Sequence, residues 1–239
     1  MRKILLTNDD GIRSEGLLRL CQAARAFGEL WVVAPDGERS AASHGITLHR
    51  SIDLLPVDYP LPGVHAFSCS GTPADCVRLG CLNVVPGAPD VVLSGLNFGY
   101  NSASDTQYSG TVGAALEAAF QGVPGIALSE GCGKCHEVTD FYLPQVLERL
   151  LPRPLSGQRI WNVNFPGCPL SECGGILEDR KLSWWTFFRD HYEQIEALPG
   201  GGMRMKVVGE LQTSTEEVDT DFRAILDGYV SIGVLNNLS

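Results

Sequence analysis

Asp9 and Asp10 are adjacent carboxylates followed by Gly11, and they stand directly after a short apolar run, Lys3–Thr7. Neighbouring carboxylates repel each other at neutral pH unless a cation is close. Two more polar clusters follow apolar runs in the same way. Asp36, Glu38, Arg39, Ser40 and Ser43 come after Leu30–Ala34, and Ser94, Gly95, Leu96 and Asn97 come after Val91–Leu93. Asp, Ser and Asn are hard oxygen donors, which suit Mg²⁺ or Mn²⁺. Asp9 and Asp10 balance the formal charge of a divalent ion. Ser40 and Asn97 would add neutral ligands, leaving room for an incoming phosphate dianion. Taken alone, Asp-Asp-Gly also reads as an ordinary turn after a strand.

A second kind of chemistry is suggested by Tyr108-Ser109-Gly110-Thr111-Val112-Gly113, which opens an Ala-rich stretch ending at Phe120. Free N–H groups and the helix dipole make a helix N-terminus an anion site. Ser109, Gly110 and Thr111 are the candidate phosphate-binding residues there, together with Asn97. Simple capping by Ser or Thr is the plainer reading of the same residues. Asp105, just ahead of this loop, is a candidate to orient water or relay a proton; a loop-capping role explains it equally well.

Several familiar signals are missing. No G-x-G-x-x-G follows a strand, and Gly133-Lys134-Cys135 fails the last position of a P-loop. There is no G-x-S-x-G elbow. His44, His49, His65, His136 and His191 lack close ligand spacing for zinc. Cys132-Gly133-Lys134-Cys135 is a C-x-x-C, redox-active or half a zinc site in other settings; with Cys168 and Cys173 at the wrong spacing, it reads here as two incidental thiols.

The elements that must carry these residues alternate. Lys3–Thr7, Leu30–Ala34, Val64–Cys69, Val91–Leu93, Ile126–Leu128 and Ile160–Val163 have the length and composition of buried strands. Between them lie helical segments: one capped by Ser14, one beginning Thr72-Pro73-Ala74-Asp75, the Ala-rich stretch, and one around Phe141–Leu150. Such alternation predicts an α/β, Rossmann-like, doubly wound and mostly parallel sheet. Ligands then bind beyond the carboxyl ends of the strands, where all three polar clusters fall. Leu48–Pro62 reads as a hairpin-like excursion. After Pro166 the composition changes, so residues 1–166 are expected as the core and 167–239 as an antiparallel extension and oligomerisation arm of one domain. Trp184, Trp185, Phe187 and Phe188 are expected at an interface.

Bulk composition narrows the class of partner. Of 239 residues, 18 are Lys or Arg and 28 are Asp or Glu, a formal charge of −10. That disfavours long nucleic acids, though a bound metal can still invert the local sign for a small anion. No apolar run approaches a membrane span, and the N-terminal run meets Asn8-Asp9-Asp10 too early for a signal peptide. A cytoplasmic protein without membrane partners is expected, with its eight cysteines reduced.

Six stretches in order resemble the SurE family of stationary-phase survival proteins: Ile4–Gly11, Ala34–Ser40, Gly71–Val77, Ser94–Asn101, Tyr108–Val112 and Asn162–Pro166, with a further likeness from Asp219 to Ile232. The resemblance implies a metal-dependent 5′/3′-nucleotidase acting on nucleoside monophosphates, in some members also on polyphosphate. It implies one Mg²⁺ or Mn²⁺ per subunit, held here by Asp9, Asp10, Ser40 and Asn97, and a homodimer or homotetramer with exchanged C-terminal arms. One departure is clear: where the family often carries a His near its end, this chain has Asn236, which puts any proton-donating role there in doubt. A non-catalytic nucleotide sensor on the same scaffold is the competing reading, since a helix N-terminus can bind phosphate without cleaving it.

Overall fold

The structure is a computed structural model that describes residues 1–133 and 135–237. Lys134 of the C-x-x-C lies outside the described residues, as do Leu238 and Ser239.

The first strand, β1 (Lys3–Thr7), is buried on both faces, and its neighbour β2 (Glu29–Pro35) nearly so. That explains their continuous apolar runs. Around them form β3 (Leu54–Pro56), β4 (His65–Cys69), β5 (Val91–Phe98), β6 (Gly125–Glu130) and β7 (Arg159–Phe165). The C-terminal part adds β8 (Gly175–Arg180), β9 (Phe188–Leu198), β10 (Gly202–Leu211) and β11 (Tyr229–Asn236). The main sheet has nine strands in the order β3-β4-β2-β1-β5-β6-β7-β11-β8, while β9 and β10 form a separate antiparallel hairpin. The pairs β1/β2, β1/β5, β2/β4, β5/β6 and β6/β7 are parallel, as alternation of strands and helices predicts.

The helices are α1 (Glu15–Ala24), α2 (Pro73–Leu79), α3 (Gly110–Phe120), α4 (Glu137–Leu150) and α5 (Asp221–Leu226). Ser14 caps α1 by accepting from the Leu17 N–H, and Leu17, Leu20, Cys21 and Ala24 form its buried stripe. Thr72 and Asp75 form a reciprocal capping box on α2 with Pro73 in the first turn. Alternation along β1 sorts the two faces. Ile4 and Leu6 point into a core with Leu17 and Leu20 of α1 and Val146 and Leu147 of α4. Leu5 points the other way, against Cys76 and Val77 of α2 and Ala114 and Ala118 of α3. The sheet is therefore wrapped on both sides, the doubly wound arrangement expected.

The segment after residue 166 is more divided than its composition suggests. Its strands β8 and β11 join the main sheet, and only β9–β10 projects as an arm. Trp184 is 93% exposed, whereas Phe187 is buried in a small cluster with Ala103, Phe222 and Ile225. The aromatic block is thus part surface and part anchor. Strand β11 runs antiparallel to β7, so Asn236 pairs with Arg159 at the beginning of β7. A seven-residue strand spans roughly 20 Å. Asn236 therefore lies at the end of the sheet remote from the loops that follow β1, β2 and β5. Within the protomer it does not occupy a position from which a side chain could protonate a leaving group there.

Candidate active site

Strand β1 sits where the winding reverses: from it the chain proceeds through β2 to β4 in one direction, and later from β5 through β6 to β7 in the other. Such a switch point opens a crevice at the carboxyl ends of the strands. Asp9 and Asp10 follow β1, the Ser40 loop follows β2, and Asn97 is the last residue but one of β5. Gly11 adopts φ +100°, and a Cβ there would lie 3.1 Å from the Gly37 carbonyl carbon. The first two loops are stitched by Ile12 N–H to the Pro35 carbonyl (2.8 Å) and Arg39 N–H to the Asp9 carbonyl (2.7 Å).

Asp9 is buried at the start of α3. Its Oδ1 accepts a 2.5 Å hydrogen bond from the Thr111 hydroxyl, and the backbone N–H groups of Gly110 and Thr111 also serve its carboxylate. A Cβ on Gly110 would stand 2.9 Å from both Asp9 Cβ and Oδ2, so glycine permits this approach. Burial nonetheless pushes the Asp9 pKa up, outweighing those hydrogen bonds. Asp10 has only a long 3.4 Å contact from the Phe98 N–H. Burial, then the charge of Asp9, and to a smaller extent Glu38, push its pKa up to about 6. Among the described residues no Lys or Arg pairs with either carboxylate; Arg39, close by in sequence, pairs with Asp36 instead. Two adjoining, largely buried carboxylates without a cationic partner are what a hard divalent cation would neutralise.

The remaining donors fit that cation. Asn97 donates through Nδ2 to the Gly99 carbonyl at 2.8 Å, which leaves its amide oxygen as the available ligand. Ser40 is exposed and donates to Glu38 Oε1 at 2.6 Å, keeping oxygen lone pairs free. The Ser40 loop is held on α3 by Ser43 N–H to the Tyr108 carbonyl (3.0 Å). His44 Nε2 adds a 2.8 Å contact to Oε2 of the buried Glu117. Among the described residues, no three His, Cys, Asp or Glu side chains form a metal-ready group. A set of two Asp, one Ser and one Asn has too few such residues to make one.

Three expectations need correction or addition. The Thr111 hydroxyl is engaged by Asp9 and does not face open space for a phosphate. The first N–H groups of α3 are engaged as well: Gly110 and Thr111 serve Asp9, Val112 binds Ser109 Oγ (3.0 Å) and Gly113 binds the Ser109 carbonyl (3.0 Å). Of this loop, the Ser109 hydroxyl proton remains as the donor for an anion, since its Oγ acts only as acceptor to Val112. Asp105, read from the sequence as a candidate to orient water or relay a proton, has both carboxylate oxygens engaged by the base of the arm. Its Oδ1 accepts from Thr186 Oγ1 (2.5 Å) and its Oδ2 from the Phe187 N–H (2.8 Å), so it fastens the base of the arm. Glu38, named in the polar cluster after β2 but given no role from sequence, accepts from the Ser40 hydroxyl. In the C-x-x-C, Cys132 is exposed and Cys135 half-buried, both as free thiols.

Known proteins resemble this chain in sequence and in fold. The family described as Survival protein SurE matches residues 4–185. A 5'-nucleotidase SurE of Carboxydothermus hydrogenoformans is 44% identical over 236 residues, spanning 96% of this chain and 88% of that protein. Its counterpart from Synechococcus sp. (strain JA-3-3Ab) is 40% identical over 240 residues, spanning 96% and 89%. The crystal structure of the SurE protein from Aquifex aeolicus superposes with a TM-score of 0.83 at 31% identity, covering 99% of this chain and 94% of that one.

Proposed function

The chain belongs to the SurE family, and on that premise we propose that it is a metal-dependent 5′-nucleotidase, releasing nucleoside and phosphate from nucleoside 5′- and 3′-monophosphates. The observation that carries this reading is the pair Asp9, buried, and Asp10, half-buried, side by side at the switch point with no positive partner among the described residues. Asp9, Asp10, Ser40 and Asn97 would hold one Mg²⁺ or Mn²⁺ per subunit. Bound there, such an ion supplies Lewis acidity toward a phosphate ester and makes water easier to deprotonate.

The chain's own residues do the rest. Thr111 and the N–H groups of Gly110 and Thr111 orient Asp9 and favour its ionised form. The Ser109 hydroxyl donates to a non-bridging phosphate oxygen, and Asn97 borders the same space. Asp105 is a positioning residue that holds Thr186 and Phe187 at the rim. The protomer works within a homodimer or homotetramer joined through its arm, and short polyphosphate is a second candidate substrate. The sensor alternative leaves the uncompensated carboxylate pair unexplained.

The test is phosphate release from a panel of nucleoside monophosphates and tripolyphosphate in Mg²⁺, Mn²⁺ and chelator. Release should require metal and be abolished in Asp9→Asn with the fold intact. Undiminished release in chelator, or from the variant, would remove the reading.

A further inference from the structure

Beside the proposed phosphate site lies a cavity of about 650 Å³. Gly99 and Tyr100, just past Asn97, form one wall; Asp105 and Tyr108, just before Ser109, form another. Phe187, Phe188 and Gln212 from the base of the arm close the third. The cavity adjoins the proposed metal set through Gly99, whose carbonyl accepts from Asn97 Nδ2 at 2.8 Å. Its volume falls within the range of small-ligand sites, and its lining joins aromatic and aliphatic surface to a few polar groups. Tyr108 is 69% exposed and Phe188 51% exposed, so both rings have a free surface. Phe187, by contrast, is stacked on Tyr100 at 5.1 Å between ring centroids and packed edge-on against Phe222 at 4.4 Å, which makes that wall rigid.

A second cleft, which borders Asp10, has a different character. It holds about 280 Å³ and is lined by Asp10, Arg19, Glu130 and His136 among others. Arg19 there is paired with both Glu130 and Asp140 at 2.6 Å. A charged cleft of that size is a poor match for a flat heterocycle, whereas the aromatic one supplies surface on which any base can stack.

We propose that the aromatic cavity receives the base of the nucleotide, with Phe188 and Tyr108 as its stacking faces and the hold of Asp105 on Thr186 and Phe187 setting the position of the wall. Specificity for nucleotides over other phosphate esters then originates at the root of the arm, from residues distant in sequence from the metal set. This rests on the nucleotidase reading for its substrate, but it can fail or stand separately.

Adenosine carries the base without the phosphate. Calorimetric titration of the full chain with adenosine, in chelator, should give saturable binding, weakened on the order of ten-fold in Phe188→Ala and in Tyr108→Ala. Phe188→Tyr should retain it. Melting temperatures of the variants report on the fold. With metal present, the ratio of kcat/KM for AMP to that for ribose 5-phosphate should fall by a similar factor in Phe188→Ala. Absent adenosine binding, or equal binding by wild type and both alanine variants, overturns the proposal, as does an unchanged ratio. A wild-type protein that binds adenosine through Phe188 yet releases no phosphate would overturn the nucleotidase reading and leave the base cavity standing.

Discussion

At the scale of single residues, Asp10 carries the clearest electrostatic signature. Its pKa in the fold is about 6 against an ordinary 3.8. A carboxyl raised in the folded state favours the fold in its protonated form. That contribution is fully present below the unfolded value and is lost as pH rises through about 6. In the absence of metal, ionised Asp10 is therefore a burden at neutral pH. Asp10→Asn should melt above the wild type in chelator near pH 7.5 and converge with it near pH 4. Saturating Mn²⁺ should reverse the order, because the variant then lacks a charged ligand. Scanning calorimetry across pH, with and without Mn²⁺, reads this directly; a wild type that melts higher in chelator at neutral pH would show that the carboxylate is not penalised.

At the scale of elements, the identity of the site loops was legible because each begins where an apolar run stops. Lys3–Thr7 and Leu30–Ala34 are read as strands with nearly correct ends, so Asp9, Asp10 and Ser40 fall beyond the sheet edge without any tertiary knowledge. What pattern cannot convey is the direction of a side chain. Thr111 looks like a phosphate ligand until Asp9, 102 residues earlier, is seen to take its hydroxyl. Asp105 looks like a base until its partners appear 81 and 82 residues later. Strands β8 and β11 escaped notice for a related reason: Gly175–Arg180 has no apolar run, and its pairing with β11 is formed only when the chain returns. The fastening role of Asp105 predicts that Asp105→Ala lowers stability by about 1–3 kcal/mol, the cost of leaving its two partners unpaired. A proton relay would instead cost about 10²–10⁴-fold in kcat and remove a limb of the pH–rate profile. Comparing melting temperature with the pH dependence of kcat separates the two roles.

At the scale of the whole molecule, the hairpin β9–β10 is the feature that a lone protomer does not explain. Both strands are exposed almost throughout. An isolated two-stranded hairpin is marginal in water and needs an apolar surface to lie on. This one displays Tyr192 opposite Val207, with Ile195, Met203 and Met205 also exposed. Lys206 lies opposite Glu193, and Arg204 pairs with Glu196, so these charges face the opposite sign within the hairpin while its apolar side chains stay exposed. Apolar surface of this kind on a projecting arm, in a chain carrying a formal charge of −10 that opposes unspecific association, favours a defined docking partner over aggregation. A second copy of the chain meets that need with the same surface, as closed symmetry requires. Replacing Tyr192 and Val207 together by Glu should therefore shift the mass measured by light scattering to that of a single chain. Because β9 leaves the core immediately after Phe187, whose N–H is held by Asp105, metal affinity in this monomer should be unchanged. A wild type that is already monomeric, or a double variant that keeps its assembly, would show that the arm is not the joint between subunits.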